Sequence, residues 1–253
     1  MFVQNSNLKN QKISDIVGND YRYAKALDSF GVDFYKYSDY QIEDICKIKG
    51  FKKESLIGYR ISLDESFDLE HDSLKSCPLN LVVEYLKHNH NYFIKNKLPY
   101  IKNLIQNLDT SNINYKFSDD LKFIFPLFYE EFTEHIIEEE TIIFEYINKL
   151  FYADHNSQNL SLLFFSMKEI SLKNIAEEHL NEDSEMRGIR GLTKNYSLNN
   201  IKSLHLKVIF QELKEFDKEL EIHSNIENKI LFPRALKLQD KISNELRNIS
   251  FLN

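Results

Sequence analysis

The chain has 253 residues and a mass of 30.1 kDa, enough to bury a large core as one big domain or as a small domain followed by a medium one. Only 6 Gly, 4 Pro and no Trp interrupt stretches filled by Leu, Ile, Lys, Glu and Asn, which is the usage of a mostly helical protein with few or no strands. The net charge of −7 arises from interspersed acids and bases, so the cationic footprint that a phosphate backbone requires is missing and nucleic acid is excluded as an expected partner.

The opening residues MFVQNSNLKNQK carry no apolar core of signal-peptide length, and no later segment approaches about eighteen uncharged apolar residues. A soluble cytoplasmic protein without membrane contact is therefore expected. Cys46 and Cys77 lie far apart with no CxxC, which excludes a disulfide framework or a thiolate zinc site and leaves two structural or incidental thiols.

Residues 1–61 read as a small N-terminal helical domain. A helix carrying Tyr21, Ala24 and Leu27 closes at Gly31, and Ser38-Asp39-Tyr40-Gln41 has capping-box spacing for a second helix that runs through Ile42 and Ile45 and stops at Gly50. The acidic, aperiodic run at 62–78 is the expected linker. From Leu79 to residue 253 the pattern becomes four long helical segments separated by LDTSNIN (108–114), ADHNSQN (153–159) and KNYSLNN (194–200). Short connections between long helices predict an up-down-up-down four-helix bundle, with Pro99, Pro126 and Pro233 kinking segments or marking their true ends. Phe123, Phe125, Phe128, Phe132 and Phe144 form an apolar stripe along the second segment.

One device is written twice. HIIEEETIIF at 135–144 and HSNIENKILF at 223–232 place His, Glu, Ile and Phe at the same offsets. A four-residue step in a helix advances about 400°, so His135 shares a face with Glu139 and His223 with Glu227, and the following Ile142, Phe144, Ile230 and Phe232 suggest that this face looks inward. A histidine stands one hairpin earlier in each half: His90 precedes His135 by 45 residues and His179 precedes His223 by 44. The bundle thus reads as two tandem helical hairpins whose four histidines and two carboxylates converge at the centre. His88 gives a separation of 47 and is a further candidate ligand or outer-shell group. Glu178 and Glu182 beside His179 are candidate partners for its ring N–H, and Tyr85 and Tyr92 are candidate neighbours of the site. Glu138 and Glu140 turn to other faces, where solvent is expected. His71, His155 and His205 are ordinary histidines.

An isolated buried carboxylate is costly, so a His and a Glu facing a core must be paired, protonated or bound to a metal. Four imidazoles and two carboxylates without a thiolate suit first-row metals of intermediate softness; two carboxylates able to bridge would hold two ions, for which iron is the natural candidate. Calcium would want more oxygen ligands, and the Glu-x-x-His spacing of ferritin-like di-iron proteins precedes none of these histidines. A metal-free scaffold of buried His–Glu pairs is the bland alternative.

His135-x3-Glu139 with Phe144, the later His179, and above all HSNIENKILFPRAL (223–236) resemble the hemerythrin-like domain of the "repair of iron centres" di-iron proteins, and IVGNDYRYAKALDSFGVDFYKYSDYQIEDIC (16–46) is similar to the small leading domain of that family. The resemblance covers nearly the whole chain. It implies a hemerythrin-like bundle holding two iron ions, oxo- or hydroxo-bridged, through His90, His135, Glu139, His179, His223 and Glu227. It also implies a role in repairing iron–sulfur clusters damaged by oxidative or nitrosative stress, by iron donation, nitric oxide handling or both. Iron–sulfur proteins would be clients, O2 and NO small ligands, and a homodimer is compatible with the pattern. An O2, NO or iron sensor or carrier without repair activity is the alternative. Many family members place a Cys-Cys pair just after the Asp-Phe of the leading domain, where this chain has Tyr35-Lys36-Tyr37, so thiol chemistry assigned to that pair cannot operate here. Many also carry a histidine where this chain has Asn91.

Overall fold

In the computed structural model, which describes residues 8, 10–63, 71–109, 117–155, 163, 167, 170–181 and 186–250, the chain is all-α. Among the described residues there is no strand, only an isolated antiparallel bridge between Lys12 and Gln41. No described helix is long and apolar enough to cross a membrane. Cys46 and Cys77 are free thiols.

The N-terminal region is built from α1 (Ile13–Asn19), α2 (Arg22–Ser29), α3 (Ile42–Lys49) and α4 (Lys53–Ser62). The two expected stops are present: Gly31 follows α2 at φ 69° and Gly50 caps α3 at φ 74°, left-handed positions that glycine adopts without a Cβ penalty. The expected capping box is absent. Helix α3 begins at Ile42, and Gln41 precedes it in extended backbone with no side-chain cap. The reason is backbone pairing across the bridge: Ser14 N–H donates to the Ser38 carbonyl, Ile13 N–H to Tyr40, and Ile42 N–H to Gln11. That pairing holds residues 38–41 outside any helix.

Part of the expected linker is helical. Helix α5 (His71–Ser76) buries Leu74, and the Arg234 guanidinium donates to the carbonyls of Leu74 and Cys77; residues 64–70 lie outside the described residues. The first long segment comprises α6 (Leu79–Tyr92), a π-helical turn at Phe93–Lys97 and α7 (Leu98–Gln106). The second comprises α8 (Phe117–Glu138), a π-helical turn at Glu139–Phe144 and α9 (Glu145–His155). The third is described as α10 (Leu172–Asn181) and α11 (Arg187–Thr193), and the fourth as α12 (Leu204–Ile226), a π-helical turn at Glu227–Leu231 and α13 (Phe232–Ser250). Of the expected connections, 110–114 and 156–159 lie outside the described residues, while 194–200 turns through Lys194, Asn195 and Tyr196 at φ 52°, 56° and 57°.

The contacts fix relative directions. Helix α6 packs on α9 and α7 on α8, so the first two segments run antiparallel; α12 packs on α7, α13 on α9 and α10, and α11 on α8, which continues the alternation. Pro99 and Pro233 each stand two residues beyond a π-helical turn, and the carbonyls four residues back that a proline ring crowds belong to Lys95 and Lys229, inside those turns. Pro126 lies within α8.

Two apolar clusters fill the interior. Ile13, Ile16, Leu27, Ile42 and Leu56 of the N-terminal region join Phe93, Ile101, Phe125 and Phe216 in one, so the expected boundary at 61 does not separate two cores. Val82, Leu86, Phe144, Ile147, Ile226 and Ile230 belong to the other. The divide falls between Leu86 and Phe93, Ile136 and Ile143, Ala176 and Met186, and Phe216 and Ile226. Each interval contains one or more of the expected ligand positions. Two apolar expectations fail: Phe123 is 71% exposed, and Ile142 is exposed while Ile143 is buried, because the π-helical turn rotates the face that follows it.

Polar and ring contacts along α12 join the first long segment and the N-terminal region to it. Lys97 is buried, and its ammonium lies 3.2 Å from Glu212 and 3.3 Å from Glu219 on α12; the hydroxyl of Tyr21 donates to the neighbouring Glu215. Burial opposes the Lys97 charge, but Glu212 and Glu219 hold its pKa above the ordinary lysine value. At the start of α12, the ring of His205 stacks on Tyr35 at 4.2 Å and 5°, and burial pushes its pKa down to about 4.

A Lys97→Met variant leaves the α12 carboxylates without their buried cation and is expected to lose roughly 3–5 kcal/mol in urea unfolding. The His205 ring takes up a proton near 6.5 when unfolded but near 4 when folded, so protonation favours unfolding. Its contribution is intact above the unfolded value and is lost as pH falls toward the folded one. Between pH 7 and pH 4 the parent should lose roughly 2–3 kcal/mol more than His205→Phe, measured by urea unfolding across pH.

Candidate metal centre

The six side chains singled out by the repeat meet in the layer that divides the core. His90 lies in the last turn of α6, His135 of α8, His179 of α10 and His223 of α12, while Glu139 and Glu227 open the π-helical turns that follow. A helix carries a side chain to the centre once per turn, and the widened turn lets both the His-x3-Glu face and the apolar residues beyond it look inward.

Every imidazole approaches through Nε2. The Glu139 carboxylate stands 3.4 Å from His90, 3.4 Å from His135 and 3.2 Å from His179. The Glu227 carboxylate stands 3.2 Å from His223 and 3.3 Å from His179. His90 and His223 bring their Nε2 atoms within 2.9 Å of each other. Two groups of ligand atoms, each within 4.8 Å of one another, are suited to hold a metal ion: His90, Glu139, His223 and Glu227 form one, and His135, Glu139 and His179 the other. Both carboxylates thus face histidines of both groups.

The electrostatics follow from burial and crowding. Burial and repulsion by Glu227 act against ionisation of Glu139, but hydrogen bonds from His135 and His179 hold its pKa below the usual value. Burial likewise opposes the charge of Glu227, and the His223 charge with hydrogen bonds from His179 and His223 holds its pKa well below the usual carboxylate range. His179 shows the reverse balance: burial disfavours its cation, but the bonds to Glu139 and Glu227 push it up to about 11. His90 is lowered by burial and by His223. The two carboxylates therefore seek positive charge, which in a buried layer is supplied by imidazolium protons or by metal.

The ring of His90 is fixed on its far side. Its Nδ1 lies 2.9 Å from Glu140, and its face stacks on Phe144 at 5.4 Å and 8°. In the other half, His179 meets Phe232 edge to face at 5.3 Å. A cavity of about 930 Å³ reaches the site, with the ligand side chains as its floor and Arg190, Tyr196, Lys214 and Lys218 in its walls. His135 keeps 31% of its side chain exposed, whereas the other five are at 10% or less.

His88 is exposed on α6 and stands in neither group, since two residues before His90 is the opposite side of the helix. Glu178 is exposed, and Glu182 lies outside the described residues. Tyr85 packs against the α9 and α13 side of the core and Tyr92 against the opposite cluster, where burial pushes its pKa up to about 12. Glu138 faces solvent as expected, but Glu140 does not behave as a plain surface acid. A signal for it existed: the position after the repeat glutamate is Glu140 in one half and Asn228 in the other, a break in an otherwise matched device.

No protein-family model matches the chain. A stretch of 108 residues is 28% identical to a protein of Haemophilus influenzae named as a probable iron–sulfur cluster repair protein. The match covers 43% of this chain and 43% of that relative, so the chain spans less than half the relative's length.

Proposed function

We propose that the chain holds two iron ions in a hemerythrin-like bundle and takes part in repairing or maintaining iron–sulfur clusters under oxidative or nitrosative stress. The observation that carries this reading is the convergence of four imidazole Nε2 atoms on two shared, buried carboxylates. The donor set fits: nitrogen and carboxylate oxygen without thiolate suit iron, and the depressed pKa values keep both carboxylates ionised for cations. The likeness to a relative named for cluster repair supports the biological role.

In this reading His90 and His223 would hold one ion and His135 and His179 the other, with Glu139 and Glu227 shared, and iron bound there would supply ferrous–ferric redox chemistry and affinity for O2 or NO. The residues of the chain supply the rest. Glu140 orients the His90 ring, Phe144 and Phe232 wall the site on its apolar side, and the cavity gives small molecules a route to the floor. Damaged iron–sulfur proteins are the proposed clients, met in the cytoplasm, with homodimerisation through the N-terminal region as a further part of the reading.

A second reading, an O2, NO or iron sensor or carrier without repair activity, is favoured by one observation. Tyr35, at the place where the family resemblance would put a cysteine, is stacked on His205 and carries no thiol for chemistry.

Protein purified without air is expected to carry about two irons per chain, falling to nearly none in the Glu139→Ala/Glu227→Ala double variant. The loaded parent is expected to restore activity to an iron–sulfur enzyme inactivated by peroxide or nitric oxide. Binding of about two irons with reversible gas binding and no restoration supports the sensor or carrier. Well-folded parent that cannot be loaded with ferrous iron sinks both readings and leaves a scaffold of His–Glu pairs.

A further inference from the structure

The two halves of the site are related by the repeat, yet they are not built alike. Under the repeat His90 corresponds to His179, Glu139 to Glu227 and Glu140 to Asn228. Glu140 stands 2.9 Å from Nδ1 of His90 and so fixes that ring by a charge-assisted bond. Its counterpart does nothing of the kind: the Asn228 amide donates to Ser224 at 3.2 Å, and Nδ1 of His179 has no hydrogen-bond partner among the described residues. A carboxylate on the far nitrogen of a ligating imidazole fixes the ring and raises its basicity, and loss of such a partner weakens metal binding about 10–100-fold.

Access is unequal in the same sense. All four histidines line the cavity; His90 and His223 keep 1% and 8% of their side chains exposed, while His179 keeps 10% and His135 31%. The tighter-built half is thus also the more buried one.

We propose, on the two-iron reading above, that the two metal positions differ by construction. The His90–His223 position retains its ion, with Glu140 as a positioning residue. The His135–His179 position holds the most exposed ligand of the cavity floor, His135, and is the one that exchanges ferrous iron with the surroundings. Release from it needs no oxidant or reductant: a ferrous ion passes to an outside chelator, its two positive charges are replaced by two protons from solvent on the freed His135 and His179 imidazoles, and the carboxylates stay ionised.

The test is anaerobic challenge of ferrous-loaded full-length protein with the chelator ferrozine, read as iron released against time. Two equal phases are expected, the faster leaving about ten times sooner or more. After the fast phase, refilling with 57Fe(II) should give a single Mössbauer environment. In Glu140→Gln the slow phase should quicken roughly tenfold with the fast phase unchanged, and the 57Fe label should then enter both positions; Glu140→Asp should restore part of the difference. Release of both irons from the parent in one phase overturns the inference while leaving the two-iron reading standing. An unchanged slow phase in well-folded Glu140→Gln overturns the role of Glu140. Parent that binds no iron at all overturns the two-iron reading, and this inference falls with it.

Discussion

Two carboxylates and four imidazoles share one buried layer, and the rest of the molecule is arranged around the cost of keeping them there. Removing an ionised carboxylate from water costs several kcal/mol even after relaxation, and Glu139 and Glu227 also repel each other. The layer is tolerated because each carboxylate meets at least two ring nitrogens at 3.2–3.4 Å. It also cuts the interior in two. All four segments place buried apolar residues on both sides of it, so among the described residues the protein has two cores that meet across a polar floor.

That division gives the N-terminal region its place. Its helices complete the core on one side of the layer, and α5 with Arg234 closes the other side. Helix α12 links everything: Glu212 and Glu219 hold Lys97, His205 holds Tyr35, and further along the same helix comes His223. The environment of the site and the seating of the N-terminal region therefore depend on one rigid element.

The repeat made the floor legible in the sequence. His90, His135, Glu139, His179, His223 and Glu227 follow from spacing because helical geometry converts a four-residue step and a matched hairpin length into a shared face. Helical architecture was legible for similar reasons, from composition and sparse breakers. What escaped depended on departures from the ideal helix or on distant backbone. Ile142 and Ile143 trade places because a π-helical turn lies at Glu139–Phe144, which no periodicity of 3.6 anticipates. Ser38 fails to cap α3 because residues 11–14 bind its neighbourhood, a contact some 25 positions away in sequence. Periodicity alone places Glu140 among the surface acids because its partner His90 comes from another segment.

The π-helical turns carry a further consequence. Each holds one residue more than an α-helix would use, which offsets everything beyond it by about 100° around the axis. The segments behind Glu139 and Glu227 are in effect two helical phases spliced at the floor. A one-residue deletion in either turn would heal the helix locally and yet point Phe144 or Phe232, with the whole of α9 or α13 after it, at the wrong neighbours. These short stretches are thus the molecule's frame-keepers, places where the number of residues is fixed more strictly than their identity.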